Sequence, residues 1–130
     1  MNIIKPIAVR QLQKTFVWDG SNLKPGAGLT LSNSWKFDGK YLKRNGSPEY
    51  TDSYIWDGRE LKPKNTNSLD SSYIWDGEII KPRYYSDLKN IWVRKTRTWE
   101  LKHSYSFLDA YEVIGDIPVP VCALVLFDLV

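Results

Sequence analysis

Apolar and polar residues alternate along this chain in short bursts, and the bursts return at a step of 19 residues. Phe16-Val17-Trp18-Asp19-Gly20-Ser21-Asn22-Leu23-Lys24 recurs as Trp35 to Lys43, Tyr54 to Lys62 and Tyr73 to Lys81. Altered copies follow in the same register, Trp92 to Glu100 and Tyr111 to Val119. Side chains on a strand point alternately to its two faces. Asp-Gly between β-prone residues is a strong hairpin signal. The pattern therefore predicts an all-β chain of six 19-residue β-hairpin repeats, with no significant helix.

A type I′ turn centred on Asp19-Gly20, Asp38-Gly39, Asp57-Gly58 and Asp76-Gly77 fixes an expected register. In the third repeat Trp56 would face Arg59, Ile55 would face Glu60 and Tyr54 would face Leu61. Tyr54, Trp56 and Leu61 then share one face, and Ile55, Glu60 and Lys62 the other. The same alternation nominates Phe16, Trp18, Trp35, Phe37, Tyr54, Trp56, Tyr73, Trp75, Trp92 and Tyr111 as core. A single hairpin is marginal in water, so these faces must pack on one another or on a partner. Pro25, Pro63, Pro82 and Pro120 stand at matching positions, where a residue without N–H ends a strand. The fifth copy has Lys95-Thr96 and the sixth Ile114-Gly115 in place of Asp-Gly, which predicts different turns there.

Repeats of this kind are expected to stack as an open array or β-solenoid, each contacting its neighbours. The alternative is closure into a barrel or β-prism. In the open array residues 1–13 form an N-terminal cap or arm, and residues 14–130 form one repeat domain. The two altered copies cap the other end, as terminal repeats commonly do. The apolar stretch 119–130 is expected to be a strand covered on both faces. It is a candidate assembly strand through Val121, Leu124, Leu126 and Phe127.

Composition narrows the chemistry. The chain has 130 residues, which fits one domain, and a single cysteine, which excludes an internal disulfide. Cys122 lies in an apolar run and His103 is the only histidine, so no nucleophile–base pair or zinc site is suggested. No cofactor is expected. The repeated aspartates have a sufficient reason in the turns. The sequence predicts a non-enzymatic protein with no membrane span, cytoplasmic at synthesis. The net charge of +3 is modest, but the cations are patterned. Lys24, Lys43, Lys62 and Lys81 hold equivalent positions and form a basic row in an open array. Arg94, Lys95 and Arg97 extend it. Such a row suits a polyanion, either nucleic acid or an acidic glycan, or a protein partner. Tyr84, Tyr85 and Trp99 stand outside the regular pattern and are candidates for stacking on a ligand.

The phrase Val17-Trp18-Asp19-Gly20-Ser21-Asn22-Leu23-Lys24-Pro25-Gly26-Ala27-Gly28 resembles small phage and prophage proteins built from W-D-G-x-x-L-K-P units. The segment Tyr111 to Val121 resembles their C-terminal end, and the likeness spans roughly residues 15–125. The resemblance implies a mobile-element origin rather than a mechanism. The first functional reading is a non-enzymatic virion- or tail-associated structural or adhesion protein. A host-directed inhibitor that binds a host protein or nucleoprotein through its basic stripe is the second reading, and a glycan-binding module the third.

Overall fold

The structure is a computed structural model that describes residues 2–8, 14–26, 34–45, 53–64, 72–83, 91–103, 109–127 and 129. Among these residues the chain forms twelve short strands and one helix. The strands are β1 (Asn2–Pro6), β2 (Phe16–Trp18), β3 (Asn22–Pro25), β4 (Trp35–Phe37), β5 (Tyr41–Arg44), β6 (Ser53–Trp56), β7 (Glu60–Pro63), β8 (Tyr73–Trp75), β9 (Ile79–Pro82), β10 (Trp92–Arg94), β11 (Thr98–Leu101) and β12 (Tyr111–Ile114); the helix is α1 (Val119–Leu126). All pairings are antiparallel, and the strands close into a barrel in the order β1-β12-β11-β10-β9-β8-β7-β6-β5-β4-β3-β2.

The open array is therefore corrected to a closed barrel. Its physical cause lies in the first and last strands. Within β2–β3, Phe16 pairs with Pro25, Val17 with Lys24 and Trp18 with Leu23. Between β12 and β1, Tyr111 pairs with Pro6, Glu112 with Lys5 and Val113 with Ile4. Ile4-Lys5-Pro6 thus occupies the place that Leu23-Lys24-Pro25 holds in the first repeat. Asn2–Pro6 is not a cap: paired with β12, it fills the place that the second strand holds in the other repeats, while residues 1 and 9–13 of the expected cap lie outside the described residues. A backbone bond that recurs around the barrel carries the same message. Gly26 N–H donates to Thr15 O, Asn45 to Ser34, Lys64 to Ser53, Arg83 to Ser72 and Lys102 to Ile91, all within 2.8–2.9 Å. The sixth member is Ile7 N–H to Ala110 O at 3.0 Å. Closure removes both sheet edges, the usual hazard of a repeated β unit.

The register within each hairpin also needs correcting. Trp56 pairs with Leu61, Ile55 with Lys62 and Tyr54 with Pro63, a slip of two residues from the type I′ expectation. The central pair is Gly58-Arg59, because the closing bond runs from Asp57 N–H to Glu60 O at 3.2 Å. Gly20, Gly39, Gly58 and Gly77 carry φ of 98°, 103°, 95° and 100°, a region that residues with a Cβ rarely adopt. A slip of two residues leaves each side chain on its expected face.

The inward face carries three rings of side chains. One holds Phe16, Trp35, Tyr54, Tyr73, Trp92 and Tyr111. The next holds Leu23, Leu42, Leu61, Ile80, Trp99 and Ile4. The third, at the turn end, holds Trp18, Phe37, Trp56 and Trp75, then Arg94 and Val113. All but Arg94 belong to the core or pack against it.

A twelve-stranded barrel is wider than its wall side chains can fill, since diameter grows with strand number. The remaining space is taken by α1. This corrects two further expectations, the absence of helix and the C-terminal strand. Val121, Leu124 and Leu126 are buried in α1, and Phe127 follows it. A segment apolar on every side must be buried all round. Inside a closed barrel no strand edge is free to pair with it, so its backbone bonds have to be internal, and a helix supplies them. Pro120 therefore falls near the helix start, where a missing N–H costs little, and Pro6 takes the strand-ending position. Eight residues give about 12 Å of helix, comparable to the height of strands this short. The helix enters from the turn end after Gly115 (φ 87°) and runs toward the opposite end. There Phe127 stacks on Tyr73 at 4.2 Å and Arg44 Nη2 donates to Leu129 O at 3.3 Å.

Candidate functional site: the basic fifth turn

The regular turns are stabilised by their aspartates. Asp57 Oδ1 accepts from Arg59 N–H at 2.9 Å and Glu60 N–H at 2.7 Å. Asp19, Asp38 and Asp76 repeat both contacts within 2.7–3.0 Å. These backbone bonds are the main reason all four carboxyls are held below the ordinary aspartate range. The side chains are exposed, so the charges stay solvated. No group of acidic, histidine or cysteine side chains suited to a metal ion is present among the described residues.

The fifth turn, Lys95-Thr96-Arg97-Thr98, departs from this pattern. Lys95 replaces the aspartate and Thr96 the glycine. Its framework persists nonetheless. Lys95 N–H donates to Thr98 O at 2.8 Å, as Asp76 N–H does to Ile79 O at 3.2 Å. Val113 N–H donates to Arg97 O at 2.7 Å, as Arg94 N–H does to Glu78 O at 2.9 Å. Arg94, Lys95 and Arg97 are all exposed, and among the described residues none of them is ion-paired.

Arg94 also changes the barrel mouth. It follows Trp92 and Val93 at the inward position that Trp18, Phe37, Trp56 and Trp75 fill in other repeats. Trp99 supplies the lost volume from the neighbouring strand, where other repeats have Leu or Ile. It is 2% exposed and tilts against Trp75 at 5.5 Å. This corrects the reading of Trp99 as a ligand-stacking residue: its position faces inward in every repeat, and the missing aromatic at position 94 leaves room for the larger ring. Tyr84 and Tyr85 lie outside the described residues.

Two depressions adjoin this turn. A narrow cleft of about 30 Å³ is bordered by Arg94, Lys95, Arg97 and Thr98 above, with Trp99, Ile117 and Cys122 at its floor. A wider groove of about 450 Å³ lies between Thr96-Arg97 and Glu112 to Gly115. Cys122 does not make the cleft reactive. Burial pushes its thiol up to about 12, and Sγ lies 3.8 Å from Ile117 O. His103 is exposed, whereas Cys122 is enclosed by the barrel.

The lysine row takes a new shape. Lys24, Lys43, Lys62 and Lys81 point outward from successive hairpins, joined by Lys5 and interrupted by Glu100. Neighbours in the row are two strands apart, about 10 Å. In an open array they would form a straight ladder; around a barrel they form a belt. A straight polymer can touch only the few on one side. The belt is also partly neutralised, by Lys24 to Asp19 at 3.1 Å and Lys62 to Glu60 at 3.9 Å. Arg94, Lys95 and Arg97 at the fifth turn are unpaired among the described residues, and Arg94 and Lys95 stand where the repeat has an aromatic and an aspartate. The residue signal for this turn was present in the sequence, as the loss of Asp-Gly. Arg44, which ties down the end of the helical segment, was visible only as one more cation.

No protein-family model, curated protein or solved structure matches this chain. No helix among the described residues is long and apolar enough to cross a membrane.

Proposed function

We propose that this protein is a non-catalytic binding module that engages an acidic macromolecular partner through the turn end of its barrel. The observation that carries this reading is the cluster of three exposed cations, Arg94, Lys95 and Arg97, unpaired among the described residues, at a turn where four sibling turns bear an aspartate. A partner of opposite charge would gain there without breaking an internal ion pair. The rigid scaffold favours recognition, because little conformational entropy is lost when a preformed surface binds. The resemblance of the repeat phrase to phage and prophage proteins supports a host-directed binding role. An assembly role through the C-terminal segment has lost its support, since that segment fills the barrel.

Fluorescence anisotropy with labelled DNA and with heparin tests the reading. Binding should weaken steeply as salt rises. The triple variant Arg94→Ala, Lys95→Ala, Arg97→Ala should lose most affinity, while Lys43→Ala on the far belt should lose little. No binding at low salt to either polyanion, or equal loss in both variants, would sink the proposal.

A further inference from the structure

We infer that the fifth turn is an oxyanion-binding site, in which an external carboxylate or phosphoryl group takes the place of the aspartate that the other turns carry. The inference goes beyond polyanion binding by the module, because it names the atoms that hold the anion and applies to a small ion alone.

The geometry comes from the sibling turns. In four of them a carboxylate oxygen sits 2.7–2.8 Å from the N–H of the last turn residue: Asn22, Tyr41, Glu60 or Ile79. Thr98 is the fifth member of that series. Its N–H belongs to the same planar peptide as Arg97 C=O and points opposite to it. Arg97 C=O is fixed by Val113 N–H at 2.7 Å, the counterpart of the bond from Trp75 N–H to Arg59 O, also 2.7 Å. Thr98 N–H is therefore aimed where its siblings are aimed, at the point their aspartate oxygen occupies. Thr98 O is fixed as well, by Lys95 N–H. Among the described residues nothing accepts Thr98 N–H, while its hydroxyl donates to Glu100 Oε2 at 2.9 Å.

Charge at the turn has changed in the direction an external anion needs. The position that bears a carboxylate elsewhere bears the Lys95 ammonium, with Arg94 and Arg97 beside it. Glu112 borders the groove next to Arg97, and the Glu100 carboxylate is engaged by the Thr98 hydroxyl. Hydrogen bonds from charged donors to oxyanions are shorter and stronger than neutral ones. Three cations exceed the charge of one carboxylate, which favours a phosphoryl group.

Amide NMR on the intact protein tests this directly. Phosphate is titrated at constant ionic strength, with chloride as the control salt and acetate as a second arm. The Thr98 amide should shift saturably with phosphate, and the amides of Asn22, Tyr41, Glu60 and Ile79, already bonded to carboxylates, should stay in place. Tighter binding of phosphate than acetate assigns the source to phosphoryl groups; equal binding assigns it to carboxylates, and both support the site. The double variant Lys95→Asp, Thr96→Gly rebuilds the sibling turn and should bind phosphate at least about tenfold more weakly. The inference is overturned if Thr98 moves no more than its four siblings, if chloride reproduces the shift, or if the rebuilt turn binds phosphate as well as the wild type. The wild-type comparison alone decides the matter should the variant fail to fold. The outcome is separable from the proposed function, since a basic surface can bind DNA by charge attraction and counterion release while Thr98 stays unmoved.

Discussion

Replacing Ile4 by alanine should cost as much as replacing a core leucine in the middle of the chain. Ile4 is 0% exposed and lies level with Leu61, also 0% exposed, in the middle ring of the barrel. It pairs across to Val113 on one side and Phe16 on the other, and so closes the wall. Truncating a buried Leu or Ile to Ala removes its transfer energy and leaves a cavity, together about 2–5 kcal/mol. Against a total stability of about 5–15 kcal/mol, that is a large fraction. Urea unfolding of Ile4→Ala and Leu61→Ala, followed by tryptophan fluorescence, gives the comparison. Both midpoints should fall by similar amounts with unchanged slopes, because both variants weaken one cooperative unit. A cost below about 1 kcal/mol for Ile4→Ala beside a full cost for Leu61→Ala would refute the closure argument. It would mean that β1 frays independently and that the other hairpins hold together without it.

Removal of residues 119–130 should leave an empty, water-accessible barrel. Circular dichroism and one-dimensional NMR should show loss of cooperative unfolding rather than a trimmed native protein, and a stable truncated barrel would contradict the filling role of α1. The Cys122 thiol should resist a disulfide exchange reagent in the native protein and react fully in denaturant, since burial holds it protonated at neutral pH; rapid native labelling would show that the cleft opens to the core. The four turn aspartates have lowered native pKa values, so the unfolded chain binds more protons than the native one as pH falls below the ordinary aspartate range. Stability should therefore be full above that range and decline as pH drops through the native values. A variant with all four replaced by Asn should show a shallower decline in urea midpoints between pH 5 and pH 3, about the range of an aspartate titration. Arg44→Met should lower the melting temperature modestly and broaden the Phe127 ring signals, because Leu129 O loses its donor; an unchanged Phe127 spectrum would show that stacking on Tyr73 suffices.

Hairpin content, the faces of the strands and the position of the unusual turn were legible in the sequence because each rests on local rules. Alternation assigns Tyr54 and Trp56 to one face whatever the partner strand does. For that reason a two-residue slip in the expected register did no harm to the core. The Asp-Gly signal located four turns, although the aspartate serves as an acceptor for two N–H groups and glycine alone takes the positive φ. The replacement of Asp-Gly by Lys95-Thr96 marks the fifth turn as different in the sequence itself.

Closure was written in the sequence but could only be recognised with the fold. Ile4-Lys5-Pro6 sits one repeat step before Leu23-Lys24-Pro25 and repeats its pattern. As an isolated tripeptide it is too short to distinguish from an ordinary N-terminus, and the strand it pairs with is more than 100 residues away. Curvature per hairpin is set by how each one packs on its neighbours, which no local pattern encodes. The helix was decided later still. Val119 to Leu126 is a run of apolar residues whose periodicity cannot separate a buried strand from a buried helix. Only a barrel already closed, with no edge left to accept a strand and a central space about as long as two turns of helix, settles that choice. The same tertiary event turned the lysine ladder into a belt and enclosed Trp99 in the core.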